Sequence, residues 1–326
     1  MESKARITAL GAYVPEKKLT NFDLEKIVET TDEWIVQRTG IKERRISAED
    51  EFALAMGYKA VLNLIETSGK SIDDVDIIIF CTFTPDYLTP SCAAGLHGMF
   101  DLRPDIGVID MNAACAGFVW GLCTANAYIT SGMAKKILVV GSEAITKVTN
   151  YKDRNTCILF GDGAGAVLVE YDAENPGFLG SYFGADGKSG DRLYCTNINK
   201  KIAGIDAEFI DTIWQDGRAV YNFAIRTVPA GVRSLLDASG LTVDDIQWFV
   251  PHSANARMIQ SISEKLGFSE EKTLTSLEPF GNSSSGTIPL ALWLAQKENK
   301  IKKGDLLALY GFGGGLNHAG AIVKWF

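Results

Sequence analysis

Residues 108–132 read VIDMNAACAGFVWGLCTANAYITSG. The stretch begins as an apolar strand, reaches Cys115, and continues into a run with almost no charge. That run is apolar around the whole helical circumference, which is typical of a buried helix rather than an amphipathic surface helix. A buried strand that leads into a buried helix predicts an α/β protein whose sheets are covered on both faces.

The same alternation continues along the whole chain. Apolar, β-branched segments predict further buried strands, and glycine-terminated segments with helical spacing predict helices. The predicted strands are residues 75–82, 106–111, 135–142, 164–171, 247–252, 305–312 and 320–326, and the predicted helices include residues 54–69 and 224–240.

A weak internal repeat relates the two halves of the chain. The segment GKSIDDVDIIIFCT, from Gly69, resembles GLTVDDIQWFVPHS, from Gly240, at an offset of 171 residues. This repeat predicts two copies of one α/β unit, which we divide into residues 1–172 and 173–326 at the charged Pro-Gly stretch EYDAENPGF. Asn282 opens a helix-like run about 167 residues after Cys115, so we expect two facing strand-to-helix elbows with a cleft between them.

Composition excludes several classes of protein. The chain has 326 residues and a formal net charge of −8, which argues against a general nucleic-acid binder. It has neither an apolar run of the ~18 residues that a membrane helix requires nor a signal-peptide pattern, so we expect a cytoplasmic protein without membrane association. Its six cysteines lack zinc-ligand spacing, which favours reduced thiols and no metal site.

Cys115 is the candidate nucleophile. At the start of a helix its thiol meets unpaired backbone N–H groups and the positive end of the helix dipole, both of which favour the thiolate. Burial acts in the opposite direction, so an inert core thiol remains an alternative. The small neighbours Ala114, Ala116 and Gly117 leave room for a substrate.

Of three histidines, His252 is the best candidate partner because it ends a predicted strand, where side chains project into a crevice. We expect His97 to be structural, and His318 beside a glycine-rich loop stays a candidate. Asn282 and the backbone of Gly311–Leu316 add hydrogen-bond donors without formal charge. These groups predict thiol attack on an acyl group, with an oxyanion or enolate stabilised nearby.

Six segments in this order resemble one family across nearly the whole chain, β-ketoacyl-acyl-carrier-protein synthase III of the thiolase-like superfamily. They are TTDEWIVQRTGIKERRI, MNAACAGF, DRNTCILFGDGAGAVL, FVPHSANARMI, FGNSSSGTIPLAL and GFGGGL. The resemblance implies a thiolase-like fold, with two duplicated halves in a five-layered αβαβα arrangement, and a homodimer.

The resemblance also implies a reaction. Cys115 takes an acyl group from an acyl-CoA primer, and malonyl-acyl-carrier protein then loses CO2. The resulting carbanion attacks the acyl thioester and releases a β-ketoacyl-acyl-carrier protein, which initiates type II fatty-acid synthesis. Coenzyme A enters as part of a substrate, so no separate cofactor is implied.

Individual roles follow from the positions that match the family's motifs. His252, in its neutral form, and Asn282 donate hydrogen bonds to the malonyl thioester oxygen. The backbone N–H groups of Cys115 and Gly314 form a second oxyanion hole, and Phe312 crowds the malonyl carboxylate towards decarboxylation.

The resemblance assigns a second group of residues to substrate binding. Trp34 and Arg154 sandwich the adenine of coenzyme A, and Arg38 and Asn255 match further positions of the coenzyme A site. Arg257 docks the acidic carrier protein.

The chain departs from the family pattern at four positions. Thr89 replaces a phenylalanine that gates the acyl pocket across the dimer interface, which predicts a wider primer pocket that admits branched or longer acyl groups. Ser253 replaces a common glutamine, and Asn317 and His318 replace a Thr-Trp pair.

Other functions fit less well. Thiolases use a second cysteine near the C-terminus, but no cysteine follows Cys195, and elongating synthases have a second histidine where this chain has Asn282. Chalcone-synthase-like enzymes are typically longer. A related Cys-His-Asn acyltransferase with another acceptor and a noncatalytic acyl-CoA or carrier-protein binder remain alternatives, whereas a cysteine hydrolase lacks an acidic triad partner.

Overall fold

The structure, a computed structural model, describes residues 2–202, 204–207 and 211–326. In this part of the chain the strands are β1 (Ala5–Tyr13), β2 (Lys18–Thr20), β3 (Glu43–Arg45), β4 (Ile77–Cys81), β5 (Gly107–Met111), β6 (Lys136–Glu143), β7 (Gly163–Tyr171), β8 (Phe178–Ala185), β9 (Leu193–Cys195), β10 (Lys201–Ile202), β11 (Ile205–Asp206), β12 (Ile213–Gln215), β13 (Trp248–Pro251), β14 (Leu306–Gly313) and β15 (Asn317–Lys324). The helices are α1 (Asn21–Leu24), α2 (Asp32–Thr39), α3 (Ala53–Ser68), α4 (Cys92–Met99), α5 (Gly117–Thr130), α6 (Arg154–Cys157), α7 (Gly217–Ser239), α8 (Ala256–Leu266), α9 (Leu277–Phe280) and α10 (Thr287–Lys297).

Two large sheets repeat one topology. The first has the order β1-β7-β6-β4-β5, and the second has the order β8-β15-β14-β13. In each sheet the first two pairs are antiparallel, and the β6–β4 and β14–β13 pairs are parallel. The second sheet matches the first four strands of the first, and the internal repeat is therefore a repeat of structure.

The sheets and helices stack in five layers. Helix α3 packs on the outer face of the first sheet, and α7 and α8 pack on the outer face of the second. Helices α5 and α10 share one core with strands from both sheets, so they form the middle layer. Adjacent residues of β4 point to different layers: Phe80 joins the outer core and Ile79 the middle core. This is the predicted αβαβα arrangement, and the two-sided burial explains why strands such as β4 and β14 are apolar along their length.

One predicted buried strand is not buried. Strand β5 forms an edge of the first sheet, where Val108 is 38% exposed and Ile109 46% exposed. The sequence shows that this strand is apolar, but it does not show that the strand lies at the edge of the sheet.

Short 3-10 turns lead into α5 and α10, at Ala114–Ala116 and Ser284–Gly286. Ala114 and Ser284 have left-handed backbones, with φ of 45° and 49°. Asn112 Oδ1 accepts from the Ala114 N–H at 3.2 Å, and Asn282 Oδ1 accepts from the Ser284 N–H at 2.9 Å. The internal counterpart of Asn282 is therefore Asn112, and the predicted pairing of Asn282 with Cys115 is wrong by three residues.

None of the helices in the described ranges combines the length and apolar character needed to cross a bilayer.

Candidate active site

A cavity of about 1110 Å³ is lined by residues from both halves of the chain. Five of the predicted catalytic residues line it: Cys115, His252, Asn282, Phe312 and Gly314. The sequence separates the first and last of these by nearly two hundred residues, but the duplicated fold brings the ends of their elements together.

Cys115 lies in the turn before α5 and is almost fully buried. Burial raises the pKa of its thiol to about 12, and this outweighs the lowering by hydrogen bonds from the backbone N–H groups of Cys115 and Gly314. The resting Cys115 side chain is thus a thiol, so the stabilisation of the thiolate expected from the helix N-terminus does not dominate. The same two N–H groups are those that the resemblance assigns to an oxyanion hole.

Glycines bring β14 close to the cysteine. A Cβ atom on Gly313 would lie 2.9 Å from the Cys115 Sγ, and one on Gly311 would lie 2.8 Å from the Ala116 Cα. The glycine-rich segment therefore allows close backbone approach at the nucleophile, as its composition predicts.

His252 follows β13 and is 2% exposed. Its Nδ1 lies 2.7 Å from the Thr287 Oγ1, and its backbone N–H donates to the Tyr310 carbonyl at 2.8 Å. Burial lowers the pKa of the imidazole to about 3, so the ring is neutral at physiological pH. The ring of Phe312 packs edge-on against it, with centroids 5.3 Å apart.

Asn282 is fixed by its side-chain oxygen. Because Oδ1 accepts the Ser284 N–H at 2.9 Å, the Nδ2 group is left as the donor of this cavity-lining side chain. Asn282 and neutral His252 thus add two uncharged polar groups to one cavity.

A buried carboxylate lies close enough to Cys115 to raise the pKa of its thiol further. Glu143 is fully buried at the end of β6, where burial raises its pKa to about 7 in spite of several hydrogen bonds. Thr84 Oγ1 donates to it at 2.7 Å, Thr82 Oγ1 at 2.9 Å and Ser284 Oγ at 3.1 Å. Ser284 therefore connects the Glu143 carboxylate to the turn that holds Asn282.

Aromatic and basic side chains surround the cavity mouth. The guanidinium carbons of Arg38 and Arg154 each lie 5.1 Å from the centroid of the Trp34 ring. Arg154 lies outside the cavity lining and also donates to the Glu29 carbonyl at 2.9 Å. Arg154 therefore already lies over the Trp34 ring, and the predicted adenine position between the two side chains is open only if Arg154 moves.

Helix α8 completes the mouth. Asn255 caps the helix by accepting from the Arg257 N–H at 3.0 Å, and its Nδ2 donates to the Arg38 carbonyl at 3.0 Å. The exposed Arg257 donates through Nε to the Gln37 carbonyl at 2.8 Å. Both residues therefore join α8 to α2, in addition to lining the cavity.

Two family models match the chain: 3-oxoacyl-[acyl-carrier-protein] synthase III over residues 109–187, and its C-terminal part over residues 236–325. A β-ketoacyl-[acyl-carrier-protein] synthase III 2 of Halalkalibacterium halodurans is 56% identical, covering 99% of this chain and 97% of that one. The protein of the same name from Staphylococcus epidermidis is 54% identical, covering 100% and 99%.

The chain belongs to the β-ketoacyl-[acyl-carrier-protein] synthase III family. A solved structure of the Thermus thermophilus synthase III matches with a TM-score of 0.95 at 40% identity, covering 98% of this chain and 99% of that one. The chain is accordingly a condensing acyltransferase of fatty-acid synthesis with the thiolase-like fold.

Two positions where the chain departs from the synthase III pattern lie away from the cavity. Thr89 is exposed, in the loop between β4 and α4 and outside the cavity lining. His318 is buried against Tyr310, whose hydroxyl lies 2.7 Å from its Nδ1. His318 also lies outside the lining, whereas Asn317 lies within it. His97 contacts the Arg103 carbonyl at 2.9 Å.

Sequence reasoning missed three residues of this synthase site: Glu143, Ser284 and Thr287. Glu143 directly follows a predicted apolar strand, Ser284 lies just after Asn282, and Thr287 is the first residue of α10. The contacts of Ser284 with Glu143 and of Thr287 with His252 join segments that are distant in the sequence, so no local pattern identifies these residues. Among the described residues no cluster of His, Cys, Asp and Glu has the composition of a metal site.

Proposed function

We propose that the chain condenses an acyl-CoA primer with malonyl-acyl-carrier protein through an acyl-Cys115 intermediate. The products are CO2, free coenzyme A and a β-ketoacyl-acyl-carrier protein that initiates type II fatty-acid synthesis. The observation that carries the proposal is the convergence of Cys115, neutral His252 and Asn282 on one cavity.

In the first half-reaction the Cys115 sulfur attacks the thioester carbonyl of the primer. The carbon–sulfur bond to coenzyme A breaks, and the thiol proton leaves with coenzyme A. Backbone N–H groups of Cys115 and Gly314, which hydrogen-bond to the sulfur in the resting protein, stabilise the carbonyl oxygen as it gains charge.

In the second half-reaction the malonyl group loses CO2. The electron pair of the broken bond moves into the thioester, and His252 and Asn282 donate hydrogen bonds to the oxygen that becomes an enolate. Donors fixed in a cavity of low polarity stabilise such charge more than water does. Phe312, packed on His252, presents an apolar face that disfavours the charged carboxylate.

The cavity mouth binds the two carriers. Trp34 and Arg154 hold the adenine of coenzyme A after Arg154 moves off the indole, with Arg38 and Asn255 beside them. Arg257 is exposed at the same mouth and pairs with acidic groups of the carrier protein.

A homodimer completes the primer pocket. Support comes from the apolar edge strand β5 and from the loop beside Thr89, where Tyr87 is 61% exposed and Leu88 65% exposed. In the dimer this loop reaches the acyl pocket of the other subunit, and Thr89 leaves that pocket wide.

Two further proposals concern the whole chain. We divide it into halves at residues 1–172 and 173–326, a division supported by sheets that end at Tyr171 and begin at Phe178. We place it in the cytoplasm, supported by the six unpaired cysteines that a reducing compartment maintains.

The test is intact-mass measurement of the protein with a panel of acyl-CoA thioesters, followed by a chase with malonyl-acyl-carrier protein. We expect an acyl adduct on Cys115 that disappears as the β-ketoacyl-acyl-carrier protein forms, and no adduct on the C115A variant. An adduct that survives the chase would indicate another acceptor, and no adduct at all would contradict the proposal.

A further inference from the structure

The Thr287 hydroxyl has two neighbours but only one hydrogen. Its Oγ1 lies 2.7 Å from the His252 Nδ1 and 2.8 Å from the Ser284 carbonyl oxygen. A hydroxyl donates one hydrogen bond at a time, so it serves either the imidazole or the carbonyl. Which of them receives the hydrogen determines which ring nitrogen of the neutral histidine carries its proton.

The Ser284 carbonyl does not depend on this hydroxyl. It also accepts the backbone N–H of Thr287, which closes the 3-10 turn. By contrast, within the described ranges the His252 Nδ1 has no hydrogen-bond partner other than Thr287. If Thr287 donates to Nδ1, the Ser284 carbonyl keeps the Thr287 N–H as its donor and Nδ1 also has a donor. The proton of the neutral imidazole is then on Nε2.

The reverse arrangement has a different chemical outcome. If Nδ1 carries the proton and donates to Thr287, then Nε2 becomes an acceptor. An acceptor repels a thioester oxygen that gains negative charge, whereas an N–H group stabilises it. The condensation proposed above thus needs the first arrangement.

We propose that Thr287 is the positioning residue that sets the tautomer of His252, by donating its hydroxyl hydrogen to Nδ1. This inference rests on the proposed function for its catalytic consequence but not for its geometry. Thr287, the first residue of α10, would thus orient the imidazole, whereas Asn282 on the same segment acts only as a hydrogen-bond donor.

Two serines fix the hydroxyl relative to the ring. Ser276 Oγ donates to the Thr287 carbonyl at 3.0 Å, and the Ser276 N–H donates to the Ser253 Oγ at 3.0 Å. Ser253 directly follows His252 and is fully buried. The backbones on both sides of the His252–Thr287 contact are therefore connected through Ser276, which gives Ser253 a structural explanation.

The direct test is nitrogen NMR of the protein labelled at its three histidines, with His252 assigned as the resonances that vanish in H252Q. We expect the wild-type protein to carry the proton on Nε2, with an Nδ1 resonance typical of a hydrogen-bonded acceptor. In T287V, which keeps the shape but removes the hydroxyl, the Nδ1 resonance moves to the position of an acceptor without a partner. T287S restores the wild-type resonance. A wild-type proton on Nδ1 would overturn the proposal.

Kinetics separate positioning from a general structural role. In T287V we expect acylation of Cys115 at the wild-type rate and condensation slowed about tenfold, the effect of one ordinary hydrogen bond, with T287S close to wild type. Equal slowing of both half-reactions, or no slowing, would contradict the positioning role. A wild-type protein that acylates but does not condense would refute the proposed function, and the NMR result would still decide the tautomer.

Discussion

At the scale of single residues, burial controls the chemistry of the nucleophile. The Cys115 thiol has a pKa of about 12, so only a small fraction is thiolate at neutral pH. In the proposed reaction the substrate carbonyl accepts the hydrogen bonds of the Cys115 and Gly314 N–H groups, which then stabilise the charge that develops on its oxygen as the sulfur attacks. Reactivity therefore depends on occupancy more than on the resting charge of the sulfur.

We expect alkylation of Cys115 by iodoacetamide to accelerate by nearly tenfold per pH unit from pH 7 to 10, without a plateau. The reason is that the thiolate fraction keeps rising below a pKa of about 12. Peptide mass spectrometry of timed samples measures the rate at Cys115, with Cys195 as an internal comparison. A plateau below pH 8 would show that the resting group is already a thiolate.

The oxygen and the nitrogen of the Asn282 side-chain amide have different roles in the proposed mechanism. Because Oδ1 holds the Ser284 N–H, an N282D variant keeps this acceptor but loses the Nδ2 donor. We expect it to form the acyl adduct normally and to lose about a hundredfold in condensation, as for removal of one oxyanion donor. N282L, which loses both ends, should also be less stable to urea. Full condensation by N282D would rule out the donor role.

Primer choice is tested at Thr89. We expect the wild-type protein to accept branched and longer acyl-CoA, and T89F to retain acetyl transfer while losing the larger primers, because the larger ring narrows the pocket. Competition between acyl-CoA thioesters, read as the adduct on Cys115, measures the preference. Y87F, altered in the same exposed loop, is the matched control. Strict acetyl preference in the wild-type protein would contradict the wide-pocket hypothesis.

At the scale of elements, most strands and helices are predictable from sequence because each is apolar on the faces that its layer buries. Gly69 and Gly240 end α3 and α7 in left-handed conformations, as the glycine signals indicate. The exposure of β5 could not be predicted, since it depends on the order of the strands in the sheet, which places β5 at an edge. The elbow contacts of Glu143 with Ser284 join residues 141 positions apart, and no local pattern encodes them.

Strand β5 should be the contact of the proposed homodimer. We expect the wild-type mass in solution to be twice 35.4 kDa, and a V108K/I109K double variant to be monomeric because charged side chains block edge pairing. Light scattering after size exclusion measures both. M133K, which replaces a side chain 72% exposed elsewhere, should remain dimeric. A dimeric double variant would place the interface elsewhere.

At the scale of the whole molecule, the repeat in the sequence predicted the duplicated architecture correctly. Both the residue patterns and the family resemblance nominated Cys115, His252 and Asn282; these three residues line one cavity, and their catalytic roles stay predictions. The resemblance already implied a neutral His252, but the raised pKa of Glu143 did not follow from the repeat or from the resemblance. Burial lowers the pKa of the imidazole and raises that of the carboxyl, and only the folded chain shows how deeply Glu143 is buried.

Glu143 links global stability to pH. Its pKa rises from 4.5 to about 7 on folding, so between these values the unfolded chain releases a proton that the folded chain keeps. The free energy of unfolding therefore falls as pH rises, by about 3 kcal/mol from this group. We expect urea unfolding at pH 5 and 7.5 to show a smaller fall for E143Q than for the wild-type protein. Equal pH dependence would contradict the raised pKa.

The two matching turns before α5 and α10 have a consequence for stoichiometry. At the position in the second turn that matches Cys115, the chain has Ser285, whose hydroxyl donates to the Cys81 carbonyl at 2.9 Å. The second half therefore has a hydrogen-bonded serine hydroxyl at the position where the first half has a cysteine thiol. We therefore expect each polypeptide to carry a single acyl group at saturation, and the proposed dimer two, although the dimer contains four such turns.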